Sequence, residues 1–125
     1  MQFFLIAGAV NALLSVAFGA FGAHMLEGRV ADKYLDTWQT AVQYQMFHSI
    51  GLIIVGILMS STLIGSLGSL SWAGYLMLAG IIIFSGSLYV LSLTGISILG
   101  AITPIGGVAF IAGWVMLIIA AMKAL

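Results

Sequence analysis

The side chains best equipped for chemistry in this chain are two histidines: His24, which closes GAFGAH, and His48, in WQTAVQYQMFHS (38–49). An imidazole can ligate a metal or haem, move a proton, or act as a base near neutral pH. Tyr44 and His48 stand four residues apart and so share one face of a helix, with Gln45 at its flank. Thr37, Thr40, Ala41 and Gly51 fall on the same face, whereas Gln39 and Gln43 turn away from it. A face that is polar and small suits another helix better than lipid. An ionisable group inside a membrane is costly, which makes His48 a functional candidate. Its simpler reading is a neutral imidazole bonded to a serine, a tyrosine or a backbone carbonyl, because no acid lies nearby in sequence to pair with it.

The two histidines do not suit one metal or haem iron within a single chain. If helix 2 passes His24 near Thr37, His48 lies 11 residues, or about 16 Å, deeper along the helix. Pairing between subunits is not excluded by that distance. Met25 and Met46 could offer soft thioethers to copper(I), but among seven methionines in so apolar a chain they read as packing filler. The absence of cysteine removes thiolate catalysis and cysteine metal sites. No carboxylate lies inside a long apolar run, no serine sits in a G-x-S-x-G elbow, and no glycine loop carries a P-loop lysine. The residues therefore predict no catalytic group, no metal and no cofactor.

Only a bilayer can position these residues. Of the 125 residues, 63% are hydrophobic and 5% charged, with mean hydropathy +1.29; a soluble domain carries about 25% charged residues. Net charge is zero, which offers nothing to nucleic acid. A membrane-spanning helix needs about 20 apolar residues, and four runs qualify: 3–23, 43–63, 70–91 and 99–122. SSTLIGSLGS (60–69) and SLTGIS (92–97), rich in small turn formers, separate the last three. The first run has no basic residue before it and reads as a retained span, not a secretory signal. The expected fold is all-α, a four-transmembrane-helix bundle forming one membrane domain over residues 1–125.

Five of the six charged side chains lie in EGRVADKYLD (27–36). Val30, Tyr34, Trp38 and Ala41 recur at helical spacing among them, predicting an amphipathic segment at the membrane surface between helices 1 and 2, with helix 2 extended from about residue 31. Tyr34 and Trp38 are the expected interface anchors. Helix 1 carries a stripe of small residues, Gly8, Ala12, Ser15, Gly19 and Gly22, with Asn11 beside it seeking a partner. Gly51 on helix 2, Gly80, Ser85, Gly86 and Ser87 on helix 3, and Gly106, Gly107, Ala109 and Gly113 on helix 4 are comparable. Such residues let helix backbones approach closely, within a bundle or between copies of it. Pro104, in TPIGG, predicts a kinked or broken helix 4, because ISILGAI before it is apolar enough to be helical too.

Taken in order, GAFGAH (19–24), WQTAVQYQMFHS (38–49), FSGSLY (84–89), TPIGG (103–107) and AGW (112–114) resemble the domain of unknown function 423 family. Animal transmembrane protein 256 is similar to that family. The resemblance covers essentially the whole chain and implies a bacterial-type multi-pass membrane protein of about this length, without implying a reaction. Its members often carry basic residues between helices 2 and 3 and at the C-terminus. That pattern implies both termini on the cytoplasmic side of the cell (inner) membrane. This chain keeps only Lys123 of it.

Three functions compete. The first is a non-enzymatic protein that assembles as a homo-oligomer, or with a membrane-protein partner, through its small-residue faces. The second is a carrier or channel for a small solute, with Tyr44, Gln45, His48, Ser85, Ser87, Tyr89 and Thr103 around a polar pocket and Asn11 and His24 as further candidates. The helix-1 glutamate of proton-coupled four-helix exporters has no counterpart here; the equivalent depth offers Asn11 and Ser15. The third is a module that binds haem, quinone or lipid through its histidines and aromatic residues.

Overall fold

The computed structural model describes residues 2–60 and 68–124. Four helices are long and apolar enough to cross a membrane: α1 (Gln2–Leu26), α2 (Asp32–Met59), α3 (Gly68–Thr94) and α4 (Leu99–Ala124). Among the described residues there is no strand. In hydrocarbon every backbone N–H and C=O must be satisfied within its own segment, and the helix achieves this.

α2 is the axis of the bundle. α1 packs along it on one side, α3 packs on another, and α4 lies mainly against α3. Of the most apolar stretch of α2, 44% is buried, against 22% in α1 and in α4. Leu52 and Val55 of α2 join Leu70, Ala73, Met77 and Ile81 of α3, Phe4 of α1 and Phe110 of α4 in one core. The outer faces are lined with exposed Leu13, Val16, Ile82, Val108, Ile111 and Ile118, as lipid contact requires.

The small-residue stripes are used inside this bundle. A Cβ on Gly8 would fall 2.8 Å from the Ser49 carbonyl oxygen and one on Gly19 3.1 Å from Val42, both on α2. Gly51 faces Met77, Gly113 faces Met77 and Ala73, and Gly106 abuts the backbone of Phe84. Ser15 is fully buried, and Ala12 is half-buried.

Several expected boundaries change. The charged segment runs directly into helix 2: α2 starts at Asp32, beside the expected start near residue 31, and continues unbroken into the apolar stretch. At 28 residues it is about 42 Å long, more than the ~30 Å hydrocarbon core, so its charged first turns can stand in the headgroup layer. Its expected end at residue 63, and most of SSTLIGSLGS, lie outside the described residues. α1 runs three residues further than expected, to Leu26. α4 is not broken at Pro104, which sits inside one continuous helix. Proline lacks an N–H and its ring presses on the carbonyl four residues back; here Pro104 stands in the second turn, and the first turn before it is held by tightened three-residue bonds from Leu99, Gly100 and Ala101 to Ile96, Ser97 and Ile98.

Two turns depart from α geometry. Phe18–Gly22 in α1 and Ile81–Ser85 in α3 are wound as π-helix. Both flank the same part of α2: Trp38 donates to the Phe18 carbonyl at 2.9 Å, and Ser85 donates to the Ala41 carbonyl at 2.8 Å. Gly95 ends α3 in a left-handed conformation (φ 71°) that favours glycine, its N–H bonded to Leu91 O at 2.8 Å.

Candidate functional site

The polar residues of α2 separate into two groups. Gln45 faces α1 and α3 and is 4% exposed. Tyr89 donates to Gln45 Oε1 at 2.6 Å, Gln45 Nε2 donates to Asn11 Oδ1 at 3.0 Å, and Asn11 Nδ2 donates to the Ala7 carbonyl at 2.8 Å. One directional chain of hydrogen bonds thus links α3, α2 and α1. Phe18, Trp38 and Tyr89 close its end edge-to-face, with ring centroids 4.6–5.6 Å apart.

Trp38, expected as an interface anchor, turns its ring away from the outside of the bundle. It is buried, its indole N–H points into the bundle, and Gly22 leaves the space its ring occupies. Tyr34 is half-buried in the first turn of α2, with the Lys33 ammonium 5.0 Å from its ring centre.

His48 faces α4 instead. Trp114 Nε1 donates to His48 Nε2 at 2.9 Å, and His48 Nδ1 lies 2.8 Å from the Tyr44 carbonyl. An indole can only donate and a carbonyl can only accept, so these two bonds select the neutral imidazole with its proton on Nδ1. The imidazole stacks on Phe110 with centroids 3.5 Å apart and planes 11° apart. The expected bond to a backbone carbonyl is present, but the second partner is a tryptophan, 66 residues away, that sequence spacing could not pair with it. AGW was visible as a motif; nothing in it indicated a donor for His48.

Beside this imidazole a cavity of about 590 Å³ opens along the outside of the bundle. Gln43, Tyr44, Phe47 and His48 of α2 line one side and Gly107, Phe110, Ile111 and Trp114 of α4 the other, with Phe84 of α3 at the back. Tyr44, Phe47 and Ile111 are exposed at its rim. The Tyr44 ring tilts against Phe84 with centroids 4.3 Å apart, and neither its hydroxyl nor the Gln43 amide has a hydrogen-bond partner among the described residues.

The remaining candidates lie elsewhere. Ser85 is committed to Ala41, while the Ser87 and Thr103 hydroxyls, 2.6 Å apart, tie α3 to α4. His24 is exposed in a shallow groove with Gly19, Glu27, Leu35 and Gln39, which shares no residue with the His48 cavity. Among the described residues, no group of three or more His, Cys, Asp or Glu could hold a metal ion. The polar set drawn from the sequence thus divides into three groups, Asn11 with Gln45 and Tyr89, Tyr44 with His48, and Ser87 with Thr103, with Ser85 and His24 apart from them; only Tyr44 and His48 of the set line the cavity.

The fold and this lipid-facing site define a small multi-pass α-helical membrane protein. Its family follows from sequence: residues 18–107 match the model described as "Protein of unknown function (DUF423)", and the chain belongs to that family. It is similar to the UPF0382 membrane protein YwdK of Bacillus subtilis (strain 168), 58% identical over 123 residues that cover 98% of both chains. It is also similar to the UPF0382 membrane protein SH2409 of Staphylococcus haemolyticus (strain JCSC1435), 55% identical with the same coverage. No solved structure matches the chain significantly.

Proposed function

We propose that this chain is a non-enzymatic membrane protein that binds a membrane-soluble molecule in the groove between α2 and α4. The observation that carries the reading is the groove itself: about 590 Å³, within the usual size range of small-molecule sites, lined mostly by rings and open sideways. A ligand dissolved in the bilayer can enter it without crossing water. Glu27, Asp32 and Asp36, the only acids, lie in the connection between α1 and α2 or in the first turns of α2, away from the groove.

The competing readings draw less support. Assembly through the small-residue stripes would need faces that, apart from Gly86 and Gly107, already pack against helices of the same chain. A second copy or another membrane protein would therefore have to use the lipid-facing surfaces. A carrier built on the polar set would need those residues around one cavity, whereas they divide among separate contacts. Haem ligation by His48 would require breaking the bond to Trp114.

Gly107→Leu tests the proposal. A Cβ at Gly107 meets only Phe84 ring carbons at 3.9 Å, an ordinary contact, so the isobutyl group fills the groove without forcing the backbone apart. Native mass spectrometry of gently extracted protein should show a retained non-protein mass on the wild type that Gly107→Leu loses. No retained mass on the wild type, or equal retention by both, would overturn it.

A further inference from the structure

Resting on that groove reading, we infer that its ligand is an uncharged, flat, carbonyl-bearing ring of the quinone class, with the ring against the aromatic wall and its carbonyl on Tyr44 or Gln43. An acyl chain gains little by leaving the bilayer for an apolar groove, since lipid tails are as apolar as leucine. A selective groove must offer what the bilayer does not, and this one offers rings and neutral hydrogen-bonding groups. Six of its nine lining residues carry rings; Tyr44, His48 and Phe110 lie with their planes 11–24° apart, and Phe84 tilts against Tyr44 and Phe110 beside them. A flat conjugated ring extends such a stack where a saturated chain cannot.

Charge narrows the class further. No lysine, arginine or carboxylate lines the groove, so nothing compensates a phosphate headgroup or a fatty-acid carboxylate, either of which would be costly to bury unpaired. The His48 nitrogens are both engaged, leaving the Tyr44 hydroxyl and the Gln43 amide as the uncommitted donors. Those two residues stand seven and eight positions beyond Asp36, about 10–12 Å further along α2. A ring whose carbonyl meets them therefore lies below the charged turns, with its tail free to run along the groove into the bilayer.

The test uses the full chain in phosphatidylcholine nanodiscs, titrated with 2-decyl-1,4-naphthoquinone and, separately, with 2-decylnaphthalene and methyl decanoate, and read by native mass spectrometry. One quinone per chain is expected, with binding weakened roughly three- to tenfold by Tyr44→Phe, the range for one lost hydrogen bond, and abolished by Gly107→Leu. Thermal melting of each variant in the same discs establishes that it is folded. Equal binding of decylnaphthalene would overturn the carbonyl assignment, and equal binding of methyl decanoate would overturn the ring. If no probe binds while the wild type still carries a host molecule that Gly107→Leu loses, the quinone inference fails and the groove reading stands. If neither occurs, both fail.

Discussion

Gln45 and His48 stand three residues apart on α2 and point about 60° apart around it, yet they serve two different kinds of region. Gln45 is enclosed on both sides: α1 supplies an acceptor, α3 supplies a donor, and the amide joins a chain that ends on a carbonyl. His48 is as little exposed and equally well bonded, but its ring forms the floor of a groove whose rim is open. Burial of the polar atom is the same in both places. What differs is the size of the neighbouring side chains. On the closed side glycines bring helices into contact; on the open side aromatic residues hold α4 away from α2 and leave a volume between them.

Two adjacent glycines of α4 give the sharpest way to break this comparison. Gly106 faces the closed packing, and a Cβ there would overlap the backbone nitrogen and Cα of Phe84, atoms that move only if α3 moves. Gly106→Ala should therefore be the most damaging small substitution, costing about 3 kcal/mol, the upper end for overpacking. The check is equilibrium unfolding in mixed detergent micelles; a loss under 1 kcal/mol would mean that α3 and α4 are not held this closely.

Next in size is Gln45→Leu. It keeps the volume but strands Asn11 Oδ1 and the Tyr89 hydroxyl in the interior. An unpartnered buried group costs about 1–3 kcal/mol in water-soluble proteins, and hydrogen bonds between membrane helices average nearer 0.6. Balancing these, about 2 kcal/mol of destabilisation is expected by the same unfolding assay. Tyr89→Phe should cost about half as much, because only Gln45 Oε1 loses its donor.

The spans that carry both regions were legible because hydropathy measures what lipid tolerates, residue by residue. The stripe from Gly8 to Gly22 was legible because small residues at alternating spacings of three and four make one face of a helix. Which neighbour fills that face is a long-range property, and so the stripe could be read equally as an interface between copies. The partner of Trp38 is illegible in the sequence for a related reason: an indole near a charged turn reads as an interface residue, and only the π-wound turn at Phe18–Gly22 shows where its N–H goes. Such turns leave no hydropathy signature. Likewise, the helical wheel gave the Tyr44–His48 face but not Trp114, whose approach depends on how α3 and α4 cross.

On the open side, Trp114→Phe removes the donor to His48 Nε2 while keeping a ring in the groove wall. One hydrogen bond between membrane helices is at stake, so about 1 kcal/mol is expected, less than for Gln45→Leu. The substitution also leaves the Nε2 lone pair uncommitted at the groove floor. Equal losses for Trp114→Phe and Gln45→Leu would show that the two regions do not differ in how tightly they are held.

The smallest effect belongs to Gly107→Ala, one residue from the most damaging site. Its Cβ would find only Phe84 ring carbons at 3.9 Å, and the methyl enters free space at the edge of the groove. Alanine also has the better helix propensity, by up to about 1 kcal/mol in soluble helices, so stability should be unchanged or slightly raised. The comparison of interest is with Gly106→Ala under identical unfolding conditions, since both replace one hydrogen by one methyl on the same helix. A difference of about 3 kcal/mol between neighbours can come only from what each glycine faces, a backbone in one case and a volume in the other. If Gly107→Ala is as costly as Gly106→Ala, α4 packs closed along this edge as well, and the groove is not open in the bilayer.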